Sequence, residues 1–380
     1  MQILTLGSGK GGVGKSLIAT NLSIALAQAG KNVVLVDLDL GGSNIHTILG
    51  FRSVAEGIGT YLGNTKLPFE NIVLPTPYSG LRFIPGDAEI PGLANLKSFQ
   101  KKKLMKRILS LEADFVIIDL GAGTSYNILD FFLMSGTGLI VTTPSLISIL
   151  NAYLFLKNSM FRLMYSLFPK NSASYKHLEE MRREGSTLQK IYIPHILEWV
   201  KQMEPAIHRD FQERINRFRP RLILNMLEDP KDDEKSKKLR RSVQEYLGLT
   251  LEHLGVIYRD DLQSIALNAR LPIVKYKPSS VLSQAIYRIS DKLIQSEIEE
   301  EGFIEIAGAE ESFQTAALEA ESDFQAKLYN LEELLHTGTL TTGDLVETIK
   351  SQHFELSQLK KENQLLKTKL VQAIKQGYKP

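Results

Sequence analysis

The chain reads as an α/β protein: a doubly wound, mostly parallel sheet with a helical insertion and a helical C-terminal tail that has coiled-coil order. Three observations predict this. Short apolar runs end in carboxylates or an asparagine, as buried parallel strands do where they approach a ligand. A glycine-rich loop joins the first run to a helical pattern. Near the C-terminus, apolar residues return in alternating steps of four and three.

The first element is the apolar stretch Ile3-Leu4-Thr5-Leu6. The loop after it reads Gly9, Lys10, Gly11, Gly12, Val13, Gly14, Lys15, Ser16, with Leu17 opening the helix, which Gly30 closes. This is the G-x-x-x-x-G-K-[ST] phosphate loop. Glycines let backbone N–H groups turn toward phosphate oxygens, Lys15 reaches the terminal phosphates, and the Ser16 hydroxyl can hold Mg²⁺. ATP and Mg²⁺ are the expected cofactors.

The second strand, Asn32 to Leu40, reads N-V-V-L-V-D-L-D-L and delivers Asp37 and Asp39 to the carboxyl edge of the sheet. Helix capping is the open alternative for either carboxylate. A third run, Phe115 to Ile118, ends in Asp119 and continues Leu120-Gly121-Ala122-Gly123. That order fits a Walker B aspartate near the metal and a glycine, Gly123, that senses the γ-phosphate. Met134 to Leu150 reads as a further strand followed by a helix. Leu222-Ile223-Leu224-Asn225 is another strand ending in a polar residue, and a strand, loop and helix occupy Leu254 to Leu293.

Lys10 narrows the class. K-G-G-V-G-K-S resembles the deviant Walker A family of MinD/ParA-type ATPases. The D-x-G-A-G spelling at Asp119 is similar to its MinD/FlhG branch. The resemblance implies that Lys10 crosses a dimer interface to the other subunit's phosphates, so that ATP binding drives homodimerisation; a solvated lysine beside the phosphates is the alternative. It implies catalytic roles for Lys10, Lys15 and Asp39, metal coordination by Ser16, Asp37 and Asp119, and nucleotide contacts from residues 9–17, Gly123 and Asn225. It also implies slow, partner-stimulated ATP hydrolysis. The family usually has proline after its last strand, where this chain has Tyr258-Arg259-Asp260.

Composition sets limits. With 43% hydrophobic residues over 380 positions, the chain can hold one large domain and an extra element. A net charge of +2 makes no global case for nucleic acid or membrane. The cysteine count of zero excludes the iron–sulfur carriers and nitrogenase iron protein of this superfamily, which hold clusters by thiolates. Met1 leads directly into the first strand, and no apolar run reaches about twenty residues. A cytoplasmic location is expected, with peripheral placement at the inner membrane or pole as a variant.

The expected organisation is an ATPase domain at 1–296 with a helical insertion at about 161–220, an acidic spacer at 297–323, and a helical tail at 324–380. The insertion, with helical pieces Tyr175 to Glu184 and Ile193 to Phe218, reads as a cover on the sheet or a partner surface around Trp199. The basic stretch Lys97 to Arg107 reads as a solvated helix face. Ten acidic and no basic residues between Glu297 and Asp323 suggest a flexible or weakly helical spacer. One helix then runs about Ser312 to His336 and ends at Gly338. A second runs from about Thr342 to Gln376, with Leu345, Ile349, Gln352, Leu356, Leu359, Asn363, Leu366, Leu370 and Ala373 in heptad order. Leu at d with one Asn at a fits a parallel dimer. A hairpin with the preceding helix, or packing on the ATPase domain, fits the same residues. Leu365 to Tyr378 could also lie on an anionic membrane. Without Trp or Phe it is expected to bind protein, with weak lipid affinity at most.

The function expected is a switch ATPase that positions or regulates a cellular structure, its partner engaged by tail or insertion. ParA-like DNA segregation ranks below it, because positive charge is interleaved with acids. A nucleotide-dependent scaffold with incidental hydrolysis is the third reading.

Overall fold

Eight strands form one sheet in the computed structural model, which describes residues 1–39, 42, 45–64, 66–87, 96–183, 192–298, 306–337 and 341–375. They are β1 (Gln2–Gly7), β2 (Val33–Leu38), β3 (Leu74–Pro75), β4 (Leu81–Ile84), β5 (Phe115–Leu120), β6 (Thr137–Thr142), β7 (Arg221–Leu227) and β8 (Glu252–Tyr258). Their order across the sheet is β3-β4-β2-β5-β1-β6-β7-β8. Every pairing is parallel except β3 with β4.

The apolar runs are continuous because both faces of the sheet are covered. Along β2, Val34, Val36 and Leu38 enter one core while Val33 and Leu35 enter the other; β5 divides its residues the same way. The helices Lys15–Gln28 and Val281–Ile298 cover one face. Ser98–Leu109 and Leu146–Leu167 cover the other, with Phe132 and Phe155 meeting edge to face at 4.8 Å. Such aromatic pairs add about 1 kcal/mol beyond the area they bury.

The helices Ala173–Arg183, Ile193–Met203 and Pro205–Asn216 occupy the expected insertion. Their apolar sides, including Leu178, Val200 and Phe211, join the core of that second face. Trp199 is half-buried and stacks on His177 at 4.3 Å. Glu184, at the end of the first expected insertion helix, lies outside the described residues. In Ser98–Leu109 the basic face is not wholly solvated, since Lys101 is paired with Asp130, which Arg162 also holds.

Of the expected acidic spacer, residues 299–305 lie outside the described residues, and the rest from Ile306 is helical. A helix runs Ile306–His336, and its first half packs on the last two strands. Ala316 and Ala320 are buried against Leu224, Leu227, Val256 and Tyr258. Phe313 joins the larger core and meets His253 edge to face at 5.0 Å. The acids that suggest solvation face cations of the sheet domain: Glu310 with Arg240 at 3.3 Å, Glu319 with Lys292 at 2.7 Å, and Asp323 with Arg288 at 2.5 Å. Burial raises the Asp323 pKa, against the pull of Arg288. The compact unit accordingly runs Met1–Phe324 rather than ending at 296, and Gln325–Pro380 is a second unit.

In the second unit a helix spans Thr342–Lys375. Gly338 and residues 376–380, which include the end of the expected membrane-binding stretch, lie outside the described residues. Among the described residues no helix is long and apolar enough to cross a membrane.

Candidate functional site

The carboxyl ends of four strands, β1, β2, β5 and β7, build the site. β1 ends at Gly7, and the loop from Ser8 turns into the helix Lys15–Gln28. At two loop positions only glycine fits. A Cβ on Gly9 would run into the Asn151 carbonyl oxygen, so the loop lies directly on the helix Leu146–Leu167. Gly14 caps the first helix with φ of 91°, in the left-handed region that glycine occupies without strain. A Cβ there would also collide with the Asn225 amide nitrogen.

Asn225 explains that closeness. Its Nδ2 donates to the Val13 carbonyl at 2.8 Å, tying β7 to the phosphate loop. One Nδ2–H thus buttresses the loop, which leaves Oδ1 and the second N–H for the expected nucleotide contact. Ser8, which the motif does not include, makes two further ties. Its hydroxyl donates to the Lys10 carbonyl at 2.7 Å, and its own carbonyl accepts from Gly123 N–H at 3.1 Å. Gly123 is thus held next to Ser8, at the start of the loop.

The two lysines differ. Lys15 is buried at the start of its helix, whereas Lys10 is exposed, as are Gly11 and Gly12. Val13 is buried, and Gly14, Ser16 and Leu17 are partly so; Leu17 packs on the core rather than into the loop. A helix N-terminus with inward-facing N–H groups and one fixed cation suits an anion of several charges.

The carboxylates lie on adjacent strands. Asp37 on β2 and Asp119 on β5 are direct partners in the parallel register, and both are fully buried. Asp37 accepts the Asp39 N–H at 3.0 Å, which holds Asp39 just past the strand end. Asp39 is half-buried, with Oδ1 near Gly121. Neither Asp119 oxygen has a hydrogen-bond partner among the described residues. Burial pushes its pKa up to about 6; Ser16 and Lys15 pull it down, and Asp39 adds to the rise. A buried carboxylate beside the Ser16 hydroxyl and a second carboxylate is a hard-oxygen donor set that suits Mg²⁺.

The last strand departs from the expected arrangement in a specific way. At the start of Tyr258-Arg259-Asp260, Tyr258 ends β8, is buried, and its hydroxyl donates to the Ala320 carbonyl at 2.8 Å. This residue anchors the helix Ile306–His336. Nothing in the motif marks Ser8 or Asn151 as site residues, although a serine two residues before a loop carbonyl is an ordinary local hydrogen-bonding pattern.

Residues 1–162 match the family model ParA, described as the NUBPL iron-transfer P-loop NTPase. The antiactivator FleN of Pseudomonas aeruginosa is 29% identical over 162 residues, 41% of this chain and 56% of its own. The septum site-determining protein MinD of Helicobacter pylori is 32% identical over 149 residues, 39% of this chain and 54% of its own. The chain thus spans about half the length of the curated relatives it matches. The solved structure of MinD from Pyrococcus horikoshii with Mg-ADP superposes with a TM-score of 0.51 at 20% identity, over 77% of this chain and 95% of that one. That likeness is one of fold. The iron-transfer description meets a chain with no cysteine, and so without thiolates for a cluster. Loop, strand ends and these matches agree that residues 1–162, the first six strands of the sheet, are similar to the P-loop NTPases of the ParA family, of the MinD/ParA type.

Proposed function

We propose that this chain is an ATP-dependent switch that dimerises on nucleotide and positions or regulates a cellular structure, as its relatives named for septum-site determination and antiactivation do. The observation that carries it is the division between Lys15, buried in the loop, and Lys10, exposed at its mouth. One cation serves its own nucleotide. The other is available to phosphates held by a second copy.

The residues divide the work. Backbone N–H groups from Gly11 to Ser16 and the Lys15 ammonium bind the phosphates. Ser16, Asp37 and Asp119 hold Mg²⁺, which when bound neutralises charge that develops on the phosphates. Asp39, fixed by Asp37, orients the attacking water. Gly123, tied to Ser8, reports whether the terminal phosphate is present. Asn225 Oδ1 accepts from the adenine amino group. A protein partner, engaged through the tail or the insertion, stimulates hydrolysis and so resets the switch.

The test is a paired measurement on wild type and Lys15→Ala. Wild type should bind ATP and dimerise with it, and Lys15→Ala should do neither. Equal ATP affinity in the two proteins would overturn the assignment of the loop.

A further inference from the structure

We propose that the helix Thr342–Lys375 pairs with the same helix of a second copy of this chain, as a parallel, in-register coiled coil formed without nucleotide. The proposal is independent of the ATP switch.

Four apolar seam residues with described side chains are exposed. Ile349 is 62% exposed, Leu359 55%, Leu366 62% and Leu370 46%. Apolar side chains at successive a and d positions of a 34-residue helix do not stay in water when a partner face is available. The other helical segment of this unit among the described residues is Gln325–His336. At 1.5 Å per residue those residues extend about 18 Å, whereas the seam from Leu345 to Ala373 extends about 42 Å. A hairpin would therefore cover less than half of it. A second copy covers all of it.

Charge then selects the partner and its direction. With Leu359 and Leu366 at d and Asn363 at a, Glu355 and Glu362 fall at g, and Lys360 and Lys367 at e. In a parallel, in-register pair each g residue faces the e residue five positions on in the other strand. Of the four g–e contacts the helix would make, the two central ones, Glu355 with Lys360 and Glu362 with Lys367, are of opposite sign, and neither of the outer two, Thr348 with His353 and Lys369 with Ile374, pairs like charges. In an antiparallel pair g faces g and e faces e, so Lys360 and Lys367 at e would meet each other, while the g glutamates could be matched only by Lys369, which is also at g. Asn363 has its own copy opposite only in the parallel register, where the two amides can satisfy one another. Two ATPase units held this way meet at an effective concentration in the millimolar range, far above that of free chains.

The experiment uses the full chain, nucleotide-free, in the Lys15→Ala background so that ATP-driven pairing does not contribute. Sedimentation should give twice the monomer mass of 42.6 kDa. Lys360→Glu with Lys367→Glu should raise the dimer dissociation constant at least tenfold. Glu355→Lys with Glu362→Lys should do the same. Mixing the two variants should restore a dimer, because both central g–e contacts are then again of opposite sign. As the chain has no cysteine, Asn363→Cys supplies a single thiol. It should form inter-chain disulfide far faster than Lys361→Cys, which lies at f on the outer face. A monomeric parent, two charge variants that stay dimeric, or equal crosslinking at 361 and 363 would each overturn the proposal. Helicity measured by circular dichroism on every variant separates lost pairing from lost folding.

Discussion

The Asn225 amide nitrogen donates to the carbonyl of Val13, 212 residues earlier in the chain, at 2.8 Å and in a buried setting. The phosphate loop is thereby held from β7 as well as from its own helix. Removing a donor from a buried carbonyl costs about 1–3 kcal/mol. Asn225→Ala should therefore weaken nucleotide binding by about one to two orders of magnitude, with the fold intact. Asn225→Asp should be worse, since a carboxylate oxygen would then face the carbonyl. Titration with a fluorescent ATP analogue reads both; an affinity unchanged in Asn225→Ala would show that the loop needs no such tie.

Asp119 ties the site to pH. Its folded pKa of about 6 lies above the ordinary carboxylate value of 3.8. The native state therefore holds more protons than the unfolded state between about pH 4 and 6, and its stability falls as pH rises through that window. Asp119→Asn should stabilise the nucleotide-free protein by roughly 2–3 kcal/mol at pH 7.5 and by nearly nothing near pH 4. Denaturant unfolding of residues 1–324 at the two pH values checks this. Mg²⁺-dependent nucleotide binding should show the opposite slope, weakening as pH drops below about 6, because the ionised carboxylate is the form that coordinates.

Asp39→Ala separates binding from turnover. Asp39 sits past the strand end, held through its own N–H by Asp37, so its loss leaves the phosphate loop and the Asp37–Asp119 pair in place. Hydrolysis should fall about a hundredfold, the usual scale for a positioned base, while ATP affinity stays within about threefold. Phosphate release and equilibrium binding, measured together, decide it. Wild-type turnover would assign the water to another residue.

Lys10→Ala should keep most of the ATP affinity and lose ATP-dependent dimerisation. Light scattering with and without ATP on residues 1–324 is the measurement, because that span excludes the heptad helix yet keeps the docked helix that β8 needs. A dimer that persists with ATP would rule out a lysine that acts across the interface.

The local parts of this site were legible in the sequence. Gly14, Lys15, Ser16, Asp37 and Asp119 stand out by their spacing within a strand, a loop or a helix start, and neighbouring residues in the chain decide those conformations. The ties from Asn225 to Val13 and from Gly9 to Asn151 were not legible. They depend on which strand lies beside which, and the sequence carries that order only through the whole fold. Asn225 is recognisable as a strand-terminal polar residue, but its pattern points to a base rather than to a loop carbonyl. The acid-rich helix is hidden for a related reason. Composition counts charges on one segment and is blind to Arg240, Arg288 and Lys292, which lie before it in the chain and meet it only after folding.

That helix also bears on how such a chain can change over generations. The hydroxyl of Tyr258 and the apolar side chains of Leu224 and Val256 are covered by residues of the appended segment, not by the sheet's own loops. Exchange of the C-terminal region by recombination would leave the core of the sheet intact only if the crossover fell after Phe324. A junction near 296, where the composition changes, would strip part of the interior from the older half. The segment up to Phe324 would thus have to travel with the sheet it covers.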